Sequence, residues 1–310
     1  MRTAAIPNTE LKWSVVGMGC WPLGGEHWGP PGDPSTLRAA VRAALDCGIN
    51  WFDTAPIYGA GRADVLLAEA LGGEEMIATK VGVRRGRDGH ATSDLGPAHV
   101  LADAEASLQR LGRETIDLLQ VHWPCEHGTP LDDTFEALDR LRSSGKVRYV
   151  GVCNYDAAGL REVRRIAPWV ATLQSPYSLL RRAFEGELRT AASGMGVLGY
   201  EVLVRGLLTG KYRQVPSFGD DDMRSRDDRF RGPRFEHARG LVQDLGRVAA
   251  RLHLPVSAVP LGWALHQPGI THVIAGARSA EQVRDNAQGA RVTAHAASVV
   301  SRIAQLHGPG

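Results

Sequence analysis

The sequence has few cysteines, almost no net charge and no long apolar run. Its four cysteines, Cys20, Cys47, Cys125 and Cys153, lie far apart and form no Cys-x-x-Cys pair. This usage argues against a disulfide framework and predicts free thiols in a reducing, cytoplasmic compartment. The 36 basic and 34 acidic residues leave a formal charge of +2, so the composition predicts neither a nucleic acid nor an acidic membrane as partner.

Apolar runs of the length that a transmembrane helix needs, about 18 uncharged residues, are also absent. The first ten residues lack the apolar stretch of a signal peptide and contain the turn formers Pro7, Asn8 and Thr9. The chain does have 43% hydrophobic and 23% charged residues over 310 positions, which excludes disordered, collagen-like and coiled-coil classes. Because no Pro/Gly/Ser linker divides it, we expect one domain over residues 1–310.

Short apolar runs rich in β-branched residues alternate with longer stretches of helical periodicity, as is typical of a parallel α/β fold. Eight strands with helices between them favour a closed (β/α)8 TIM barrel over an open doubly wound sheet. The predicted strands are Val15–Gly19, Asn50–Asp53, Met76–Lys80, Ile116–Val121, Val147–Val152, Thr172–Ser175, Val197–Val202 and Thr271–Ala275.

Helix periodicity and end signals, such as a glycine directly after the last apolar position, mark the segments between these strands. Outside the repeats, Ala4–Trp13 is predicted to form a hairpin that caps the bottom of the barrel, and Ser257–His266 and Ala294–Leu306 to form extra C-terminal helices. The predicted helices within the repeats are Ser35–Cys47, Pro97–Leu111, Leu131–Ser144, Asp156–Ile166, Glu236–Leu252 and Ala280–Gln288.

The segment Gln214–Arg234 departs from this pattern, because its mixed charges have no clean period. Two interpretations stay open for it. It is a solvated surface excursion, or it is a loop that folds over a ligand.

Four chemically useful side chains stand at or just after consecutive predicted strand ends. Asp53 ends the second strand and Tyr58 follows in the next loop, Lys80 ends the third strand, and His122 follows the fourth. In a barrel these ends meet at one mouth, where catalysis is normally located. Each residue alone has an ordinary structural explanation, but the four together predict a site.

An aspartate, a tyrosine, a lysine and a histidine together suit proton transfer at an oxygen atom bonded to a carbon that gains or loses hydride. A tyrosine hydroxyl has a pKa near ~10, and a nearby ammonium such as Lys80 favours its phenolate. Asp53 can hold Lys80 in position, and a neutral His122 can orient a carbonyl oxygen.

Several motifs, in the same order along nearly the whole chain, resemble the aldo-keto reductases. The resemblance implies a (β/α)8 barrel enzyme that binds NADP(H) without a Rossmann domain and interconverts a carbonyl and an alcohol. It also implies that Tyr58 is the general acid, tuned by Lys80 and Asp53, with His122 orienting the carbonyl. The motifs are Phe52-Asp53-Thr54-Ala55, Tyr58-Gly59, Ala78-Thr79-Lys80, Asp117–His122, Gly151–Asn154, Leu207–Tyr212 and Gly276–Ser279.

The resemblance further implies a set of cofactor residues, from the nicotinamide end to the adenosine end. Arg278, with Ser279 beside it, is expected to bind the 2′-phosphate that distinguishes NADPH from NADH. The implied cofactor-binding residues are Gly19, Trp21, Asp53, Cys153, Asn154, Gln174, Tyr200, Glu201, Leu203, Gly206, Lys211, Gly276, Ala277, Arg278, Gln282, Asp285 and Asn286.

Two positions depart from the family pattern. Cys153 replaces a serine and is a weaker hydrogen-bonding group. Glu201-Val202 replaces Ser-Pro, and Glu201 would repel a pyrophosphate unless its side chain turned away.

The substrate is expected to be a small carbonyl or alcohol that contacts Tyr58, His122 and a wall of Trp21, Trp28 and Trp123. Its specificity is expected to lie in three loops, because no motif encodes it. These loops are Gly24–Gly32, His122–Gly128 and Gln214–Arg234.

Three other interpretations of the sequence compete with that of a carbonyl reductase. Gly17–Pro22 begins like a Rossmann fingerprint, but Pro22 replaces its third glycine. His122, Cys125 and His127 could ligate zinc, but no fourth ligand is specified, and we expect no metal. The chain could also be a non-catalytic NADP-binding regulatory or channel-associated subunit, which the intact set of four residues argues against. The sequence does not indicate an oligomeric state.

Overall fold

Eight parallel strands form a closed barrel in the computed structural model, which describes residues 1–86 and 89–308. The eighth strand pairs with the first, so that Val273 lies beside Val16 and Gly276 beside Gly19. The predicted (β/α)8 barrel is therefore confirmed, and the Rossmann alternative is wrong. The barrel strands are Val16–Gly19, Trp51–Asp53, Met76–Val81, Ile116–Val121, Val147–Cys153, Thr172–Pro176, Gly196–Tyr200 and His272–Gly276.

Helices follow the strands around the barrel, and most of the predicted ones are present with ends shifted by a few residues. Two helices were not predicted: Arg62–Ala70, which follows a left-handed Gly61 (φ 89°) instead of a capping side chain, and Glu187–Ala191, which has only five residues. The α-helices are Pro34–Asp46, Arg62–Ala70, Pro97–Leu111, Leu131–Ser143, Ala157–Ile166, Glu187–Ala191, Gly232–Leu252, Ala258–Leu265, Ala280–Ala287 and Ala294–His307.

The N-terminal hairpin predicted at Ala4–Trp13 is present as two antiparallel strands, Thr3–Ala5 and Lys12–Ser14. Its apolar side chains close the bottom of the barrel, where Trp13 stacks on Trp51 with ring centroids 4.3 Å apart. The bottom is therefore filled by side chains, and the mouth at the opposite end is left for a site.

The two extra C-terminal helices are also present. Ala258–Leu265 packs against Ala294–His307, and the Trp263 indole donates a hydrogen bond of 3.0 Å to the Ser301 hydroxyl. Pro260 is tolerated because it lies in the first turn of its helix, where its missing N–H would have no partner in the helix. That residues 1–310 form one domain stays a prediction.

Three further differences from the sequence prediction concern the mouth of the barrel and the segments beside it. The seventh strand ends at Tyr200 rather than Val202, because Glu201 has a left-handed backbone (φ 57°) that breaks the extended conformation. The helix predicted at Glu236–Leu252 begins at Gly232. An unpredicted hairpin, Val83–Arg85 paired with Ala91–Ser93, follows the third barrel strand.

No helix among the described residues is long and apolar enough to cross a membrane.

Candidate active site

A cavity of about 1060 Å³ opens at the C-terminal ends of the barrel strands. Its wall contains every site residue predicted from the sequence except Lys80, which lies behind Asp53 and Tyr58. The strand ends bring these residues together because parallel strands of a barrel all point toward the same rim.

Lys80 is buried at the end of the third strand, with 1% of its surface exposed. Its ammonium donates to the Asp53 carboxylate at 2.7 Å, to the Thr54 carbonyl at 2.9 Å and to the Tyr58 hydroxyl oxygen at 3.3 Å. These contacts use its three N–H groups. The Tyr58 oxygen accepts one of them, so the phenol proton is left free to be donated elsewhere.

The charge state of this pair follows from burial and from Asp53. Burial is the largest single effect on Lys80 and lowers its pKa, but the charge and hydrogen bond of Asp53, together with Tyr58 and Cys153, raise that pKa above its usual range, so the ammonium stays charged. Burial raises the pKa of Tyr58, and the positive charge of Lys80 opposes the rise without cancelling it. Lys80 therefore acts on the pKa of Tyr58 in the expected direction, but burial has the larger effect, and Tyr58 is a protonated phenol.

The Asp53 carboxylate is held by two glutamines as well as by Lys80. Gln174 donates to its second oxygen at 2.7 Å, and Gln120 does so at 3.5 Å. Gln120 was not predicted as a site residue. Only its position in the sequence could have indicated a role in the site: Gln120 lies two residues before His122 and so points to the same side of the fourth strand.

His122 is a neutral imidazole beside the phenol. Burial, and then the positive charge of Lys80, lower its pKa well below the usual value. Its ring meets the Tyr58 ring edge-on, with centroids 6.1 Å apart and planes at 84°. A neutral imidazole next to Tyr58 can hydrogen-bond the oxygen of a carbonyl that approaches the phenol.

The three predicted tryptophans line the cavity around these groups. Trp21 stacks on Tyr58 at 6.1 Å and meets Trp28 edge-on at 5.2 Å, while Trp123 lies 5.6 Å from the His122 ring. The indole N–H of Trp28 is buried without a hydrogen-bond partner. The wall is therefore apolar and aromatic, with one unsatisfied donor.

The thiol that replaces the family's serine is hydrogen-bonded on both sides. Cys153 Sγ donates to the Gln174 side-chain oxygen at 3.2 Å and accepts from the Asn154 amide at 3.1 Å. Burial raises the pKa of Cys153 to about 12, so it is a thiol at neutral pH. Asn154 also donates to the His122 carbonyl at 3.0 Å and accepts from the Tyr200 hydroxyl at 2.7 Å.

Glu201 is neutralised by arginines. Its carboxylate lies 3.0 Å from Arg229, 3.0 Å from Arg205 and 3.6 Å from Arg181. Arg205 and Arg229 are joined in turn by Asp227, at 3.0 and 2.7 Å. The repulsion expected for an acidic residue here is thereby offset.

The loop after the eighth strand leads into the helix Ala280–Ala287. The Ser279 hydroxyl caps this helix by accepting from the Gln282 N–H, and the Gln282 side chain accepts from the Arg278 N–H at 2.8 Å. The Arg278 guanidinium donates to the carbonyls of Trp28, at 2.9 Å, and Pro30. The Arg278 guanidinium is thus hydrogen-bonded to the protein backbone and is not simply a solvated side chain.

The zinc alternative receives no support from the geometry. In the part of the chain that the structure describes, no three His, Cys, Asp or Glu side chains are grouped so that they could hold a metal ion. Cys125 Sγ instead contacts the Ser93 carbonyl at 3.8 Å.

The sequence model of the aldo/keto reductase family matches residues 15–307. This chain belongs to the aldo/keto reductase family. The resemblance seen in the sequence motifs is therefore confirmed, and the chain is a member of an oxidoreductase family.

Two other members of the family are similar to this aldo/keto reductase over most of both chains. It is 34% identical to aldo-keto reductase YhdN of Bacillus subtilis (strain 168), over 91% of this chain and 87% of that protein. It is 30% identical to an NADH-specific methylglyoxal reductase of Escherichia coli (strain K12), over 92% of each chain.

Two solved structures of the family have the same fold. A glycerol dehydrogenase from Gluconobacter oxydans superposes with a TM-score of 0.89 at 34% identity, over 99% of this chain and 96% of that one. An aldo-keto reductase from Bacillus halodurans, in its holo form, superposes with a TM-score of 0.78 at 26% identity, over 98% of this chain and 96% of that one.

The cavity of this aldo/keto reductase fits a nicotinamide dinucleotide. It contains Lys211, which has no carboxylate partner among the described residues, and the Ser257 hydroxyl, which is buried without a partner. Cationic groups, an unsatisfied hydroxyl and the N-terminus of Ala280–Ala287 suit phosphate groups. Ser257 was not predicted, because a serine at the start of a helix ordinarily indicates a cap.

Proposed function

We propose that this aldo/keto reductase interconverts a small carbonyl compound and its alcohol with NADP(H), using Tyr58 as general acid and base. The observation that carries the proposal is the Tyr58 hydroxyl in the cavity wall, 3.3 Å from an ammonium that is itself 2.7 Å from Asp53. Among the residues that the structure describes, that hydroxyl accepts a hydrogen bond from Lys80 and donates its proton to no acceptor.

In the direction of reduction, Tyr58 donates its proton to the substrate oxygen, which neutral His122 holds by a hydrogen bond. Lys80 then stabilises the phenolate that remains, because an ammonium at hydrogen-bond distance favours the charged form. Asp53 keeps Lys80 in place. When bound, NADPH would supply the hydride for the carbonyl carbon.

The cofactor would lie along the cavity from the aromatic wall to Arg278. Asn154 and Gln174 would contact the nicotinamide carboxamide and Tyr200 its ring, whereas Lys211 and Ser257 would meet the phosphates. NADP rather than NAD is proposed because Arg278 offers a cation at the adenosine end. The choice needs a direct test, since one relative is described as NADH-specific.

The test is a panel of aldehydes, ketones and alcohols with NADPH, NADH, NADP and NAD, followed by nicotinamide absorbance. Turnover of at least one carbonyl with NADPH, at a higher kcat/KM than with NADH, is the expected result. Binding of NADPH with no turnover across the panel would instead support the non-catalytic subunit. The four free cysteines fit the predicted cytoplasmic location, which stays a prediction.

Lys80→Met is expected to slow carbonyl reduction and to destabilise the fold, because it leaves Asp53 buried without its counter-ion. Breaking such a buried pair from one side costs about 3–5 kcal/mol. The double variant Asp53→Asn/Lys80→Met removes both charges, so we expect it to recover stability but not activity. Turnover and urea unfolding of both variants check this, with Lys146→Met as a surface control. A double variant as unstable as Lys80→Met would contradict the argument.

The segment Gln214–Arg234 is proposed to be a lid. Met223 and Arg224 reach the cavity wall, the Met223 N–H donates to the His27 carbonyl at 3.1 Å, and the Arg224 guanidinium lies 5.4 Å from the Trp28 ring. We expect trypsin to cut this arginine-rich segment several-fold more slowly with saturating NADPH than without it. Cleavage after Arg302, in the last helix, serves as the internal control. Equal rates in the segment would favour a surface excursion.

A further inference from the structure

The loop of residues 25–32, here called the tryptophan loop, is held at the cavity by a backbone N–H and an arginine side chain from distant parts of the chain. The Met223 N–H binds the carbonyl of His27 from one side. Arg278 binds the carbonyls of Trp28 and Pro30 from another. The loop has no regular secondary structure after Gly25, so its position depends on these contacts and on those of Glu26 and His27 with Arg62 and Arg85.

The guanidinium of Arg278 is only partly used by this loop. It carries five N–H donors, and the two carbonyls take two of them. No carboxylate within the described part of the chain pairs with it, and the N-terminus of Ala280–Ala287 follows two residues later. Three donors of a fixed planar fork therefore remain for an anion while the loop stays bound.

The loop connects this guanidinium to the reacting end of the cavity. The Trp28 ring meets the Trp21 ring, and the Trp21 ring stacks on Tyr58. Arg278 thus binds the backbone of the residue whose ring begins the aromatic contacts that lead to Tyr58. The adenosine end and the substrate end thus share one loop.

We propose that Arg278 is a positioning residue that clamps the tryptophan loop, so that an anionic group on its free donors and closure of Trp28 over the substrate reinforce each other. The identity of the anion as the 2′-phosphate of NADP rests on the proposed function. The clamp itself does not, because it consists of hydrogen bonds between groups of the protein.

The first experiment uses the full-length protein without cofactor. Chymotrypsin cleavage between Trp28 and Gly29, located by mass spectrometry, is expected to be about tenfold faster in Arg278→Ala than in the original protein, because two charge-assisted hydrogen bonds are lost. Arg284→Ala removes an arginine of the following helix that has no hydrogen bond or ion pair within the described residues, and should cleave at the original rate. Equal rates in Arg278→Ala and the original protein would overturn the clamp.

The second experiment needs no variant to fold. Adenosine 2′,5′-bisphosphate, which carries the phosphate without the nicotinamide, is expected to slow cleavage after Trp28 by several-fold, whereas adenosine 5′-monophosphate has no such effect. Linkage requires the same coupling in both directions. Faster cleavage with the bisphosphate would show that the loop and the anion compete for Arg278, and an unchanged rate with the bisphosphate bound would show no coupling. Either result overturns the proposed reinforcement.

The third measurement separates positioning from general loss of structure. With NADH, which lacks the 2′-phosphate, Arg278→Ala is expected to raise the KM for 4-nitrobenzaldehyde by about fivefold and to leave kcat within about twofold, because the wall and not the proton donor is altered. A fall in kcat with unchanged KM would contradict the clamp. If no carbonyl is reduced, the proposed function fails, while the cleavage results still decide the inference.

Discussion

Tyr58→Phe is expected to lower carbonyl reduction by about 10²–10⁴-fold, the usual contribution of a general acid. The substitution removes one oxygen atom, which accepts the 3.3 Å hydrogen bond from Lys80. The ring that stacks on Trp21 is retained, so the aromatic wall and the cavity keep their shape. NADPH affinity is therefore expected to change by less than about twofold, since no new charge or cavity is made beside the cofactor site.

Single-turnover reduction at saturating NADPH gives the chemical step, and fluorescence titration gives the cofactor affinity. Tyr149→Phe is the matched control, because it removes a hydroxyl at the bottom of the barrel, where that group accepts a 3.0 Å bond from the Glu10 N–H. It should reduce the substrate at the original rate. Near-normal turnover by Tyr58→Phe would show that another group donates the proton.

Arg278→Ala is expected to weaken NADPH binding by about 10- to 150-fold, while NADH binding changes by less than about twofold. A charge-assisted hydrogen bond of this kind contributes about 1.5–3 kcal/mol, and tenfold in affinity corresponds to about 1.4 kcal/mol. The three donors that the Trp28 and Pro30 carbonyls leave free are available for it. NADH lacks the 2′-phosphate, so it has no interaction with Arg278 that the substitution would remove.

Fluorescence titration of both cofactors with Arg278→Ala and with Arg284→Ala checks the discrimination. The control arginine belongs to the same helix region but does not line the cavity. If NADPH and NADH are weakened equally by Arg278→Ala, the guanidinium does not read the 2′-phosphate, and the preference for NADP loses its main support. Arg278 would then be expected to affect only the position of the tryptophan loop and not the choice between NADPH and NADH.

The barrel and its mouth followed from the sequence because they depend on local and periodic signals. Apolar β-branched runs alternating with helical stretches are short-range features, and in a parallel barrel they place Asp53, Lys80 and His122 at one rim. The helices that were missed are Arg62–Ala70, which follows a left-handed Gly61 and has no side-chain cap, and Glu187–Ala191, which has only five residues. The seventh strand was overextended because a left-handed Glu201 has no sequence signature.

Tertiary structure alone decided the state and partners of the site residues. The sequence places Lys80 near Tyr58, but only packing determines that burial raises the pKa of the phenol more than the ammonium lowers it. Glu201 looks repulsive in sequence, but the nearby Arg205 and two arginines from other segments, Arg181 and Arg229, neutralise it.

The sequence by itself therefore determined which chemical groups stand at the strand ends and which family they belong to. It did so because strand alternation and motif order are properties of neighbouring residues. The contact of Arg278 with Trp28, 250 positions away, was decided only by the folded chain. Such a contact depends on how two loops of the closed barrel meet at its mouth, and no short stretch of sequence contains that information.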